Sequence, residues 1–273
     1  MVSPGTSIVQ MNGRRVAYTS IGSGAPIIFV HGSFASCSAW RRLVARLDTS
    51  ACSAIALDLP GWGESDSSPE DCPSLVEYEA AAVEAVAAQI NAQSIHLVAH
   101  SHGGAVALAV AVAGRVEIRA LTLFEPLPIF LLGEDEDAHV ELRRFVVEYQ
   151  RAFDAGDHWA ARAVVDLWGG AGSFEAMSAT ARDAIAAGAA QNIRQWKGNF
   201  AFRPSSDTLR ELHVPTMLAH GERANGIAKL FIRRLQDLLP ASNVVEIAGA
   251  NHFLIHTHAE DCARVVTQTP NHA

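Results

Sequence analysis

Short, mostly apolar runs alternate with longer amphipathic stretches as far as Phe124, and the same alternation returns near the end of the chain. Ser7 to Met11 and Arg14 to Thr19 flank Asn12-Gly13, a dipeptide that accepts the positive φ angles of a tight turn, so an antiparallel hairpin is expected first. Ile27 to Val30 then precedes a helical stretch over Trp40 to Leu47, and Ala54 to Leu57 precedes Leu75 to Ile90. Ile95 to Ala99 precedes Gly104 to Val112, and Leu121 to Phe124 follows. Runs that are apolar nearly throughout belong to strands buried on both faces, and their alternation with helices predicts βα units on a parallel sheet.

The pattern lapses from Pro126 to Leu212, where amphipathic stretches over Val140 to Phe153 and Thr180 to Ala190 predict helices and no run reads as a strand. It resumes with a strand at Thr216 to Ala219, a helix over Ala228 to Leu239, a strand at Val244 to Ile247 and a last helix over Glu260 to Thr267. The expected organisation is an α/β core over 1-125 and 213-273 with a helical insertion over 126-212. Gly133 to Asp137 reads as a solvated acidic turn at the entrance of that insertion.

With 273 residues, 49% hydrophobic and 18% charged, the chain is long and apolar enough to bury one core of this kind. Its net charge of -8 argues against nucleic acid or an anionic membrane surface as partner, since both need a basic face, and leaves a small molecule. Cys37, Cys52, Cys72 and Cys262 are irregularly spaced with no C-x-x-C pair, which predicts free thiols in a reducing compartment rather than zinc ligands or a disulfide framework. The opening Met1 to Gly5 has no basic segment followed by an apolar one, and no later apolar run reaches membrane length, so the expected location is cytoplasmic.

Candidate chemistry gathers at strand ends. Ile95 to Ala99 runs into His100-Ser101-His102-Gly103-Gly104 and then a helix, and a small residue at 99 and glycine at 103 permit a turn sharp enough to present the Ser101 hydroxyl. The helix start beyond it points amides at any developing negative charge. His31-Gly32-Ser33-Phe34 follows another strand, and the amide of Ser33 or Phe34 could pair with that of His102 as an oxyanion hole. Asp58 to Gly63 reads as a rigid turn with Asp58 held by backbone amides.

Taken with Gly249-Ala250-Asn251-His252-Phe253, these segments resemble the α/β-hydrolase superfamily over nearly the whole chain outside the insertion. The resemblance implies an eight-stranded, mostly parallel sheet with a helical cap, Ser101 as nucleophile, and His252 as the base that takes and returns the serine proton. The acid departs from the common pattern: Ala224 stands where an aspartate would follow the strand ending at Ala219. Some branches, including many haloalkane dehalogenases, carry the acid one strand earlier, where Glu125-Pro126 lies here, so Glu125 is the first candidate and Glu222 the alternative. Dehalogenases and epoxide hydrolases of this fold attack with an aspartate, whereas a serine suits acyl transfer, and this disfavours halide and epoxide chemistry.

Trp159, Trp168 and Trp196 with Phe145, Phe153 and Phe174 supply aromatic surface that either roofs an apolar pocket or packs the insertion on itself. His31, Gly32, Trp168 and Trp196 are the candidate substrate contacts, and the His102 side chain is expected at the mouth. No nucleotide-binding or metal-binding pattern appears, so no cofactor is expected. The expected activity is hydrolysis of small, apolar or aromatic esters through an acyl-enzyme. Lactone, thioester, amide or carbon-carbon bond hydrolysis, or a weakly catalytic ligand-binding role, would use nearly the same parts.

Overall fold

The strand runs become one eight-stranded sheet in the order β1-β2-β4-β3-β5-β6-β7-β8. The strands are β1 (Thr6–Met11), β2 (Arg14–Gly22), β3 (Ala25–Val30), β4 (Cys52–Leu57), β5 (Ile95–His100), β6 (Ile118–Phe124), β7 (Thr216–Gly221) and β8 (Ser242–Ile247). Only the pairings of β2 are antiparallel, to β1 and to β4; the others are parallel, as the apolar runs implied. The structure, a computed structural model, describes residues 5–270. Residues 1–4, part of the opening read above for a leader, lie outside the described residues. No helix among the described residues is long and apolar enough to cross a membrane.

After β3 the chain steps outward to β4 and then crosses back over β3 to form β5 on its other side. Connections therefore leave β3 and β5 in opposite directions, and a crevice opens at their carboxyl ends, where open α/β sheets bind ligands. His31 and Ser101 stand at those ends.

The helices are α1 (Arg41–Val44), α2 (Leu75–Gln89), α3 (His102–Ala113), α4 (Asp137–Asp154), α5 (Arg162–Gly169), α6 (Ala179–Ala187), α7 (Ala189–Ala201), α8 (Ser206–Arg210), α9 (Gly226–Leu238), α10 (Leu254–Thr257) and α11 (Ala259–Gln268). One apolar cluster joins the sheet to α2, α3 and α9, a second joins it to Trp40, α10 and α11, and a third lies among α4 to α7 and against α9. The helix expected over Trp40 to Leu47 is shorter: the amides of Arg46 and Leu47 bond three residues back, to Leu43 and Val44, which tightens and ends the turn. The stretch expected over Thr180 to Ala190 is two helices meeting at Gly188. Helices α5, α7 and α8 were not anticipated.

The acidic turn is only partly solvated. Glu136 accepts from Arg234 of α9 (Nη1 to Oε1 2.9 Å) and from the Gly133 amide (2.7 Å), and these bonds, the arginine's first, hold its carboxyl down to about 2.

A buried polar chain ties α11 to the sheet. Thr269 Oγ1 donates to the Val265 carbonyl (2.9 Å), so it accepts from Thr122 Oγ1 (2.7 Å), which in turn accepts from His96 Nε2 (2.8 Å). This order fixes His96 as the neutral Nε2–H tautomer, and burial, reinforced by Arg119, pushes its pKa down to about 3. An unfolded histidine titrates near ~6.5, so below that pH the unfolded chain takes a proton that the native chain refuses. Native stability should therefore fall as pH drops from about 6.5 towards 3, by up to about 1.4 kcal/mol per pH unit from this residue. Urea unfolding at pH 7 and pH 5 should show a smaller loss in His96→Gln than in the wild type; equal losses would remove His96 as a source of acid sensitivity.

Candidate active site

Ser101 sits between β5 and α3 with φ +56° and ψ -124°, a backbone conformation costing a residue with a side chain about 1–3 kcal/mol. The surroundings over-determine it. Its amide donates to the Phe124 carbonyl (3.0 Å), and its carbonyl accepts from Gly104 (2.8 Å) and Leu127 (3.2 Å). A Cβ on Gly103 would lie 2.5 Å from the carbonyl oxygens of both Val30 and His31, and one on Gly32 would lie 2.8 Å from the Ser101 Cβ. Glycine at these positions lets β3, its loop and the turn close on one another.

His252 Nε2 lies 3.0 Å from Ser101 Oγ, and His252 Nδ1 lies 2.7 Å from Glu125 Oε2. A carboxylate only accepts, so His252 carries its proton on Nδ1 and offers a bare Nε2 to the serine hydroxyl. Glu125 is fully buried, and an unpaired carboxylate there would cost several kcal/mol. Its other oxygen accepts from the Gly221 amide (2.9 Å), and its own amide donates to the Ala219 carbonyl (2.9 Å). Glu222 is directed elsewhere: it is exposed and accepts from the Gly249 amide (2.7 Å).

The His102 amide is the first of α3, one of those without an acceptor inside the helix. Ser33 and Phe34 face the same cavity as Ser101, and Phe34 has φ +57°. Among the described residues, 33–35 make no backbone–backbone hydrogen bond. Asp58 is held by amides, as its turn suggested, at 2.6 Å from Cys37 N and 2.9 Å from Glu64 N.

Three expected contacts are corrected. His31 is fully buried behind the site; its Nδ1–H donates to the Gly32 carbonyl (2.7 Å) and its Nε2 accepts from the Leu59 amide (3.0 Å). Neither His31 nor Gly32 lines the cavity, because both brace the loop after β3 against its neighbours. The His102 side chain is likewise turned inward, donating from Nε2 to Glu79 Oε2 (2.6 Å) and accepting at Nδ1 from Asn199 Nδ2 (2.9 Å).

The cavity, about 450 Å³, lies between the sheet's carboxyl ends and the helices that connect β6 to β7. Trp168 and Trp196 line it, stacked on one another at 6.1 Å, and Trp168 stacks on His252 at 5.2 Å. Trp159, Phe145, Phe153 and Phe174 do not line it and pack among the helices instead. Its remaining apolar wall includes Leu127, Val164 and Ile185. Asn192, Gln195 and Asn199 form a polar edge on α7, and Ser173, His100 and His256 add to the polar lining. No lysine or arginine lines it among the described residues. Burial, with His252 nearby, holds the His100 pKa well below its usual value, and burial, with Arg42 nearby, lowers that of His256. No aspartate or glutamate lines the cavity among the described residues either. Asn192, Gln195, Asn199, His256 and Glu79 were missed in the sequence. The available signal was a three- and four-residue spacing of amides through a segment that also carries Ile193 and Trp196, and one glutamate inside the apolar stripe of α2.

The model of a family described as the alpha/beta hydrolase family matches residues 27–265. A Synechocystis sp. protein carrying the provisional name non-heme chloroperoxidase is 27% identical over 260 residues, covering 90% of this chain and 91% of its own. A haloalkane dehalogenase of Agrobacterium fabrum is 34% identical over 106 residues, 39% of this chain and 34% of its own. Among solved structures, a thermophilic esterase from Thermogutta terrifontis superposes with TM-score 0.77 at 22% identity, covering 97% of each chain.

The geometry separates the two candidate acids by experiment. Glu125→Gln keeps the shape but favours the wrong imidazole tautomer, and turnover of an activated ester should fall by about 10³- to 10⁴-fold, whereas Glu222→Gln should stay within about twofold of wild type. Full activity in the first with loss in the second would reverse the assignment.

Proposed function

The chain belongs to the alpha/beta hydrolase family and is a hydrolase, and on that premise we propose that it is a serine carboxylesterase acting on small, uncharged esters. The carrying observation is the hydrogen-bonded series Ser101 Oγ, His252 and Glu125, at 3.0 and 2.7 Å, opening on an apolar cavity. In this reading His252 Nε2 takes the serine proton as Oγ attacks the acyl carbon. The amides of His102 and of Ser33 or Phe34 stabilise the oxyanion, and Glu125 stabilises the imidazolium. His252 then returns the proton to the departing alcohol, and a water activated by the same imidazole hydrolyses the acyl-enzyme. None of these steps needs a cofactor. The segment 126-212 acts as the cap over the site.

The lining supports the substrate class. An anionic group moved into a cavity without a cationic partner loses hydration worth several kcal/mol, so neutral esters are favoured and Trp168 and Trp196 suit aromatic or branched groups. The serine nucleophile supports acyl transfer over the alkyl transfer to an aspartate that dehalogenation of this fold uses. The four unpaired cysteines fit a cytoplasmic site of work.

The test is a panel of p-nitrophenyl esters of increasing acyl length, with one ester bearing a terminal carboxylate, run on wild type and Ser101→Ala. Turnover of the neutral esters should drop by at least about 10³-fold in the variant, and the carboxylate-bearing ester should have a kcat/KM at least about tenfold lower than its neutral counterpart. Wild-type inertness on every neutral ester, or activity surviving in Ser101→Ala, would overturn the proposal.

A further inference from the structure

Glu79 is a charged residue on the buried stripe of α2, fully inaccessible, and takes no part in the proton path above. Its two oxygens accept from two different parts of the molecule. Oε2 accepts from His102 Nε2 at the start of α3 (2.6 Å), and Oε1 accepts from Gln195 Nε2 on α7 (3.1 Å). Gln195 Oε1 then accepts from Ser33 Oγ (2.7 Å), and Asn199, one turn further along α7, donates to His102 Nδ1 (2.9 Å). Glu79, His102, Gln195 and Asn199 are each at most 3% exposed.

The two residues at the ends of this network, Ser33 and His102, sit on the two segments whose amides are proposed to hold the oxyanion. They are not equally secure. His102 is held by its helix and by two ring hydrogen bonds, whereas residues 33–35 have no backbone–backbone bond among the described residues and include Phe34 at φ +57°. The polar tether of that loop is the Ser33 hydroxyl on Gln195, and Gln195 is oriented by Glu79, because an amide whose nitrogen faces a carboxylate must turn its oxygen towards Ser33. Replacing a buried ion pair as a whole by apolar residues of similar volume is often neutral for stability, so stability by itself does not account for such a group.

We propose that Glu79 is a positioning residue that, through Gln195 and Ser33 on one side and His102 on the other, sets the oxyanion-hole amides of the two loops at their working separation. The proposal rests on the serine-hydrolase reading. The cap helix α7 is thereby part of the oxyanion hole's support, and Gln195 and Asn199 are the cap residues that give it. Because the network touches neither the Ser101 hydroxyl nor the His252 ring, its loss acts on charge developing in the transition state, and Glu79, which does not line the cavity, is the member whose change also spares ground-state binding.

The experiment compares wild type, Glu79→Gln, Gln195→Leu and Ser33→Ala for kcat, KM, melting temperature and inhibition by a phenyl trifluoromethyl ketone, which adds to the serine as a tetrahedral mimic. Mass spectrometry of the wild type treated with a fluorophosphonate shows first whether Ser101 is the reactive serine. Each folded variant should lose about tenfold in kcat, with ketone affinity reduced by the same factor, and in Glu79→Gln, whose side chain does not line the cavity, KM should stay within twofold. Ser33→Ala removes only a hydroxyl from a loop and keeps the test open if Glu79→Gln fails to fold. Unchanged kcat and ketone affinity in Ser33→Ala and Gln195→Leu, or a loss entirely in KM, would overturn the positioning role while leaving a labelled Ser101 and the hydrolase reading intact. A wild type that neither labels nor turns over would remove both.

Discussion

A left-handed backbone at a residue with a side chain is the constraint around which the rest of the site is arranged. Ser101 is held there by three backbone hydrogen bonds and by glycines at 32 and 103, where a Cβ would collide with the elbow or with the end of β3. That turn lies where the sheet's winding reverses, at strand ends that face the cavity, and Phe34 and Glu125, at φ +57° and +40°, bring two more side chains at positive φ to the same place. The other parts of the site approach that turn: the histidine from beyond β8, the glutamate from the end of β6, and the helices between β6 and β7 from the far side of the cavity.

Two buried carboxylates flank the turn, and their partners distinguish them. Glu125 faces the imidazole that meets the serine, with its second oxygen on the Gly221 amide. Glu79 faces an imidazole that never meets the serine and an amide from the cap. Each is satisfied on both oxygens, which is the condition under which a buried charge is tolerated. The site therefore has one ionic anchor beside His252 and another beneath the loops that are proposed to receive charge.

The sheet, the elbow and the glutamate after β6 were legible in the sequence because each is encoded locally: an apolar run for a buried strand, small residues around a serine, a glutamate at a strand end. The cap was less legible. Helix α7 carries Asn192, Gln195 and Asn199 on a buried face, so amides interrupt the apolar stripe that would have revealed it. The bond between Glu79 and Gln195 joins residues 116 positions apart, on two elements whose mutual placement no local pattern states. His31 was misread as a substrate contact for the same reason: its motif fixes its place after β3 but not that its ring turns back to the Leu59 amide.

The stack of Trp168 on His252 joins the roof of the cavity to the base beneath it. Helical insertions of this kind invite treatment as interchangeable modules, with specificity above and chemistry below. Here a ring of the segment between β6 and β7 forms one wall of the imidazole's own environment, so a chimaera carrying a foreign segment there inherits a different histidine as well as a different pocket.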